Sequence, residues 1–248
     1  MVRVEKLGER VAKVLAARLI KGSAGNGEVP LPTEREISDE FGVSKTVARE
    51  VVAHLTSMKL VETHHGRRMR LLPDSDWNYL HPMMLELQDV DGTRRLVSEL
   101  FDVRLLIEPE TAARAAIDAT EEHHVRMARL LDLMRDSVDR PDEYLLTDVA
   151  FHQEILSSSK NRLLAHILDS VQHLMFQSRR ATGMATEARV RATEFHTAVY
   201  EAIRDRDPER ARSAMRTHLI AGALEAGIIP TAPGIDDAAK TANLAGVE

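Results

Sequence analysis

Residues 31–73, LPTEREISDEFGVSKTVAREVVAHLTSMKLVETHHGRRMRLLP, carry the most information about the fold of this chain. Thr33 followed three positions later by Glu36 forms a capping box, so a helix is predicted to begin there and to end at Gly42. Ser44 is placed to cap a second helix of about four turns. Two short helices joined by a glycine-containing turn are typical of a helix-turn-helix.

The start of the second helix presents cations and hydroxyls. Lys45, Thr46 and Arg49 follow Ser44 and are predicted to face away from the apolar side of the helix. Such side chains can reach the phosphates or the base edges of DNA. The alternative interpretation is a small helical subdomain with a solvated basic face.

The stretch LVETHHGRRMRL, residues 60–71, is predicted to form two short strands that turn at Gly66. It carries three arginines and would act as the wing of a winged helix-turn-helix over residues 1–72. That segment holds 13 Lys and Arg against 9 Asp and Glu, whereas the remainder holds 20 against 30. A basic segment on an acidic chain favours contact with a polyanion.

The rest of the chain is predicted to be helical. Aromatic residues make up only 4%, so the core must be built from aliphatic side chains, which favours an antiparallel all-α bundle. A linker is predicted at 73–92, the bundle at 93–228 and a disordered tail at 229–248. The predicted helices cover residues 93–118, 121–138, 142–158, 161–182, 187–205 and 208–226.

Several functional classes are excluded or disfavoured by composition. The chain lacks cysteine, which excludes disulfides and thiolate chemistry. No run approaches the roughly 20 apolar residues of a membrane span, and MVRVEKLGER lacks a signal-peptide core. A cytoplasmic protein without membrane partners is expected.

The stretch DVAFHQEIL, residues 148–156, places a carboxylate and an imidazole on one helix face. Asp148 and His152 stand four apart among apolar residues, and His196 and His218 lie on the apolar stripes of two later helices. Imidazole nitrogen and carboxylate oxygen bind divalent metals well, and facing helices of a bundle can hold such a site. The residues alone leave open a second interpretation, in which buried polar groups satisfy one another.

The N-terminal segment resembles the winged helix-turn-helix of GntR-family bacterial transcription regulators, whose pattern runs LPSERELA…FGVSRTPVREAL…GRGTFV. The matching stretches are LPTEREISDEFGVSKTVAREVV and KLVETHHGR. Lys45 stands where the family often has Arg, and Arg68 stands where the wing usually has a second Gly. The resemblance implies DNA contacts by Arg35, Ser44, Lys45, Thr46, Arg49 and, in the wing, His65, Gly66 and Arg67.

The later part resembles the FCD ligand-binding domain of the FadR-type subgroup. ELFDVRLLIEPETAARAA, DVAFHQEILSSSKN and EFHTAVYEAIRDRDPERARSAM carry this resemblance. A metal-binding branch of the subgroup implies that Asp148, His152, His196 and His218 hold one divalent ion, with zinc preferred over nickel, manganese or others. The resemblance also places Arg104 by a pocket for a small carboxylate effector, with no role assigned to Glu108.

The expected function is a homodimeric, ligand-responsive repressor that binds a pseudopalindromic double-stranded operator. The stretch DWNYLHPMMLE resembles the linker of members that sense sugar acids such as galactonate or gluconate. Two alternatives remain: a metalloenzyme that uses the Asp/His site, or a regulator whose metal is structural or is itself the signal. An enzyme is not expected, because no general base stands beside the ligands and the N-terminal unit would lack a purpose.

Overall fold

The computed structural model describes residues 6–23, 31–63, 69–87, 90–161 and 185–228, together with the isolated positions 163, 164, 171, 174 and 176. The chain divides into two compact units, Met1–Val90 and Asp91–Glu248. Helices dominate both units, and the described residues contain one small antiparallel sheet. The predicted fold class, mainly helical with an N-terminal winged helix-turn-helix, is confirmed.

The first unit is built from short helices and a hairpin. Its elements are α1 (Leu7–Ser23), α2 (Glu34–Phe41), α3 (Lys45–Ser57), β1 (Val61–Glu62), β2 (Arg70–Leu71) and α4 (Pro82–Glu86). Val61 lies opposite Leu71 and Glu62 opposite Arg70 in the hairpin. The three longer helices bury one apolar face each around a common core, which includes Leu15, Leu19, Ile37, Ala48, Val51 and Leu55.

The helix ends of the helix-turn-helix follow the sequence signals. The Thr33 amide donates to the Glu36 carboxylate at 2.6 Å, and the Glu36 amide donates to the Thr33 hydroxyl at 3.2 Å. Gly42, with φ 63°, ends α2 in the left-handed conformation that glycine adopts without strain. The Ser44 hydroxyl accepts from the Val47 amide at 3.3 Å and so caps α3.

Replacing Thr33 by Ala is expected to destabilise the first unit by about 1 kcal/mol, since α2 loses its capping box. Trp77 is the only tryptophan of the chain and is buried in this unit's core, so its fluorescence during urea unfolding reports on this unit. Thr33→Ser is the matched control and should stay within about 0.3 kcal/mol of the wild type, because Ser and Thr are comparable caps. An unchanged free energy of unfolding in Thr33→Ala would show that the box contributes nothing.

The predicted linker is folded over much of its length. Trp77 is buried and its indole N–H donates to the Leu72 carbonyl at 2.9 Å, while Met84 is fully buried. His81 caps α4 by accepting from the amide two residues later at 3.2 Å. Residues 74–87 therefore pack onto the first unit instead of forming an extended connection, because burial of two large apolar side chains stabilises them there.

The second unit consists of helices. They are α5 (Val90–Asp118), α6 (Glu121–Asp136), α7 (Pro141–Ser158), α8 (Thr186–Arg204) and α9 (Pro208–Glu225). The first and last residues of each helix lie within three positions of the ends of a predicted helix. Their apolar faces form one core that includes Met127, Leu131, Met134, Phe151, Ile155, Val199, Ile203 and Leu219.

Proline and short polar residues set where these helices begin. Pro141 and Pro208 occupy the first turns of α7 and α9, where a missing N–H costs nothing. The Asp207 carboxylate caps α9 by accepting from the Arg210 amide at 3.0 Å. Most of the predicted helix at 161–182 and the whole predicted tail at 229–248 lie outside the described residues. Among the described helices, none is both long and apolar enough to cross a membrane.

Candidate metal centre, ligand pocket and DNA-contacting surface

The structure brings the four predicted metal ligands together inside the second unit. Asp148 and His152 project from the same face of α7, His196 comes from α8 and His218 from α9. All four are buried, with exposed fractions between 0 and 8%. One ligand atom of each lies within 4.8 Å of the ligand atoms of the other three. We call this group the tetrad.

The spacing of the tetrad atoms fits a shared ion. His152 Nε2 lies 3.1 Å from His196 Nε2 and 3.2 Å from His218 Nε2, and His196 Nε2 lies 3.1 Å from Asp148 Oδ1. Nitrogens about 2.1 Å from one ion are about 3.0 Å apart at right angles and about 3.4 Å apart in a tetrahedron. These three separations fall between the two values, as expected for ligands on adjacent positions of one coordination sphere.

Hydrogen bonding within the tetrad leaves polar atoms unsatisfied. Among the described residues, the buried Nδ1 atoms of His196 and His218 have no hydrogen-bond partner. If the Nδ1 atoms carry the ring protons, the Nε2 lone pairs of both histidines point into the cluster, where a cation could bind them. If the Nδ1 atoms carry no proton, they are two buried acceptors without a donor. Burial, followed by the nearby charges of His196 and His152, lowers the pKa of His218, which keeps this imidazole neutral and able to bind a metal.

Glu108 on α5 contacts the tetrad, a position that the sequence analysis did not assign to it. Its carboxylate contacts His152 Nδ1 at 2.6 Å and accepts from Arg104 Nε at 2.6 Å, and Arg104 and Glu108 are each only 3% exposed. A carboxylate on Nδ1 fixes the histidine tautomer with Nε2 free to bind a metal, as in many carboxylate–histidine–metal sites. The i, i+4 spacing of Arg104 and Glu108 on one helix permits their pairing, whereas the contact of Glu108 with His152 depends on tertiary structure.

Glu108→Gln is expected to lower the affinity for a divalent metal by about 10- to 100-fold, because the amide orients His152 more weakly and reduces its basicity. Competition with a fluorescent chelator measures this change. Glu110→Gln is the matched control: Glu110 lies two residues along α5, is exposed, and pairs with Arg212 at 2.6 Å. Equal affinities in the two variants would remove Glu108 from the metal site.

A pocket of about 190 Å³ lies beside the tetrad and is lined by residues of α5, α7, α8 and α9. Asp148 and His218 form one part of its wall, next to Arg104. The Tyr144 hydroxyl, one turn before Asp148, donates to the Arg189 carbonyl at 3.0 Å and lies 3.1 Å from the Thr193 hydroxyl. Tyr144 and Arg189 are further pocket residues that the sequence did not reveal, although Tyr144 shares a helix face with Asp148.

The predicted DNA-contacting residues that the structure describes are on the surface. Ser44, Lys45 and Thr46 are exposed at the start of α3. Arg49 is 72% exposed and its Nε lies 3.2 Å from Glu34, while Arg35 on α2 is 89% exposed. These positions leave the cations accessible to a polyanion. Their contact with DNA stays a prediction.

The three predicted DNA-contacting residues of the wing, which lies between β1 and β2, are outside the described residues: His65, Gly66 and Arg67. The two strands that flank them pair as predicted.

A winged helix-turn-helix followed by a helical domain with a buried pocket defines the class of ligand-binding transcription regulators. Residues 7–71 match the bacterial regulatory proteins of the gntR family, and residues 99–221 match the FCD domain. The chain belongs to the GntR family.

Similar proteins agree with this assignment. The galactonate operon transcriptional repressor of Escherichia coli (strain K12) is 30% identical over 84% of this chain and 92% of its own length. The Glc operon transcriptional activator of the same organism is 29% identical over 85% of each chain. A solved structure of Lar, which controls expression of the Listeria monocytogenes agr system, covers 91% of this chain and 99% of its own with a TM-score of 0.58 and 18% identity, and supports the fold.

The protein is therefore a DNA-binding transcription regulator. Its relatives include both a transcriptional repressor and a transcriptional activator. The metalloenzyme alternative is set aside, because the family and these relatives are regulators, not enzymes.

Proposed function

We propose that the protein is a repressor whose second unit senses a small carboxylate, of the sugar-acid class, at a pocket that contains a divalent metal. The observation that carries the proposal is the convergence of the tetrad's Nε2 and Oδ1 atoms beside a pocket that Arg104 also lines. The galactonate operon repressor among the relatives supports the sugar-acid class. A homodimer acting on a pseudopalindromic operator in the cytoplasm is part of the proposal.

The charges at the site suit a monoanion. Arg104 and Glu108 neutralise each other, and Asp148 cancels one of the two charges that a divalent ion would bring. One positive charge would remain in excess, in a buried setting where charge–charge interactions are strong. Three histidines and one aspartate leave positions on a six-coordinate ion for a carboxylate. Bound there, a metal ion would supply a Lewis-acidic anchor, and zinc is our first choice, ahead of nickel or manganese.

Regulation requires that the acid favour one state of the protein. An effector can shift the equilibrium between the DNA-binding state and the state that does not bind DNA only by the difference between its affinities for the two states. Couplings of this kind are typically about 1–3 kcal/mol, or about 5- to 150-fold in affinity.

The test is operator binding by fluorescence anisotropy, using a duplex selected from random sequences. In metal-loaded protein, millimolar D-galactonate or D-gluconate should weaken operator binding at least fivefold, whereas chelated protein should not respond to either acid. If sugar acids, lactate and dicarboxylates all leave the affinity unchanged, the effector class is wrong. If chelation alone changes the DNA affinity with no acid present, the metal itself is the signal; if chelation unfolds the protein, the metal is structural.

A further inference from the structure

Helix α2 is acidic, although it packs against α3, the helix whose first residues are predicted to contact DNA. Its sequence EREISDEF holds four carboxylates and one arginine. Negative charge beside a DNA-contacting surface opposes the approach of a polyanion. Three of the four carboxylates have partners outside α3: Glu36 in the capping box, Asp39 with Arg35 at 3.7 Å, and Glu40 with Arg18 at 2.8 Å.

The fourth carboxylate, Glu34, contacts α3. Its Oε2 atom accepts a hydrogen bond from Arg49 Nε at 3.2 Å. The Glu34 side chain is 50% exposed and that of Arg49 is 72% exposed. An ion pair this exposed contributes little to stability, so the fold does not depend on it. What the contact does change is the orientation and the electrostatic surroundings of the Arg49 guanidinium.

Both side chains project from backbone positions that the helix caps and the core fix. Glu34 lies in the first turn of α2, which the capping box closes, and Arg49 lies five positions beyond the Ser44 cap of α3. Ile37 on α2 and Ala48 on α3 are fully buried in the common core of the first unit. The carboxylate is therefore held beside the second turn of α3 before any DNA is bound.

We propose that Glu34 determines specificity in DNA binding: it holds Arg49 by the Nε edge so that the two Nη groups face the base pairs, and its negative charge opposes a contact of Arg49 with phosphate. The proposal concerns the DNA-binding unit and goes beyond ligand sensing. It rests on the predicted contact of Arg49 with DNA.

The free edge of the guanidinium matches guanine. Guanine presents two acceptors, O6 and N7, to the major groove, and two N–H groups of one arginine can bind both acceptors together. With Nε engaged by Glu34, Arg49 keeps its two Nη groups for this bidentate contact. A lysine in place of Arg49 would lack the planar fork, so Glu34 could not orient it for the same contact.

The charge of Glu34 disfavours the alternative contact with the DNA backbone. A phosphate accepts hydrogen bonds from any cation and carries no sequence information. A phosphate bound to Arg49 would also approach the Glu34 carboxylate, because Oε2 lies only 3.2 Å from Nε, and like charges at this range repel. Guanine is uncharged and does not meet this repulsion. The carboxylate therefore weakens binding to sequences that lack the guanine more than binding to the operator.

The experiment measures, by fluorescence anisotropy and without any acid, how full-length wild type, Glu34→Ala and Glu34→Gln bind the selected operator and a scrambled duplex. We call the quotient of the two affinities the specificity ratio. It should fall about tenfold in Glu34→Ala, the discrimination typical of one bidentate contact. It should fall less in Glu34→Gln, because the amide oxygen still accepts from Arg49 Nε although the charge is gone.

A modified operator tests the orientation of Arg49 directly. Replacing the operator guanines one at a time by 7-deazaguanine removes the N7 acceptor. At one guanine this change should weaken wild-type binding about tenfold and binding by Glu34→Ala less than about threefold, since Arg49 is no longer oriented there.

Glu40→Ala is the matched control, because Glu40 is another carboxylate of α2 and pairs with Arg18 on α1. It changes the net charge equally and should keep the wild-type specificity ratio. In an Arg49→Ala background, Glu34→Ala should no longer change the ratio. Fluorescence of Trp77 during urea unfolding verifies that each variant folds, and Glu34→Gln carries the test if the alanine variant does not fold.

Three results would overturn the proposal. The first is a wild-type specificity ratio in both Glu34 variants. The second is an equal fall of the ratio in Glu40→Ala, which would make the effect one of general charge. The third is an undiminished effect of Glu34→Ala when Arg49 is already replaced, which would mean that Glu34 does not act through Arg49.

Discussion

Asp148→Ala and His196→Ala are each expected to abolish stoichiometric metal binding, since each removes one of four convergent ligand atoms. Elemental analysis of untagged protein purified without chelator should give about one divalent ion per chain in the wild type and none in the variants. At a metal concentration of 100 times Kd, the wild type should gain about 2.7 kcal/mol in the free energy of unfolding, and this gain should vanish in both variants.

The same variants should behave differently without metal. Asp148 is a buried carboxylate that contacts His196 Nε2 at 3.1 Å. Asp148→Ala removes this contact but also the cost of burying a carboxylate, so the stability of the metal-free protein should change less than that of the metal-loaded protein. Glu143→Ala provides the control, because Glu143 is an exposed acid on α7 that pairs with Arg140 outside the site. Full metal content in Asp148→Ala would remove Asp148 from the ligand set. A wild type that takes up no metal would make the tetrad a hydrogen-bonded polar cluster, and the sensing proposal would then fail while the DNA-binding assignment stood.

Arg49→Ala is expected to weaken binding to the selected operator by about 10- to 100-fold, in line with about 1–3 kcal/mol for a cation that reaches a base pair. If Arg49 contacts a phosphate instead, the loss should be similar on all sequences, and the slope of log affinity against log salt should fall by about one. Titrations at several salt concentrations against specific and random duplexes separate the two cases.

Arg18→Ala is the matched control for this prediction. Both arginines lie on the surface of the first unit, and each pairs with its own glutamate. Arg18 pairs with Glu40 at 2.8 Å and Arg49 with Glu34 at 3.2 Å. Only Arg49 lies on α3, the helix whose first residues are predicted to contact DNA. Equal effects of the two substitutions would mean that general positive charge, not the position on α3, governs binding.

Local signals in the sequence predicted much of this molecule. The capping box at Thr33, the glycine at the end of α2 and the prolines at the starts of α7 and α9 act within one or two turns, so they can be read from neighbouring letters. The i, i+4 spacing of Asp148 and His152 likewise fixes their common face before any tertiary structure is known.

Interactions between distant segments were not predictable in this way. The polar stretch around Trp77 has the composition of a linker, and only the completed core of the first unit shows that Trp77 and Met84 are buried. Glu108 contacts His152 across 44 positions of sequence, and the pocket is lined by residues of four helices that only the tertiary structure brings together.

Pro109 follows Glu108 directly inside α5, and it cannot donate the backbone hydrogen bond that would hold the Leu105 carbonyl. The helix therefore lacks one backbone hydrogen bond next to Glu108, whose carboxylate contacts both Arg104 and His152. Within the second unit, a displacement of Glu108 by ligand or metal would therefore be taken up by bending of α5 at Pro109, where the helix lacks one backbone hydrogen bond.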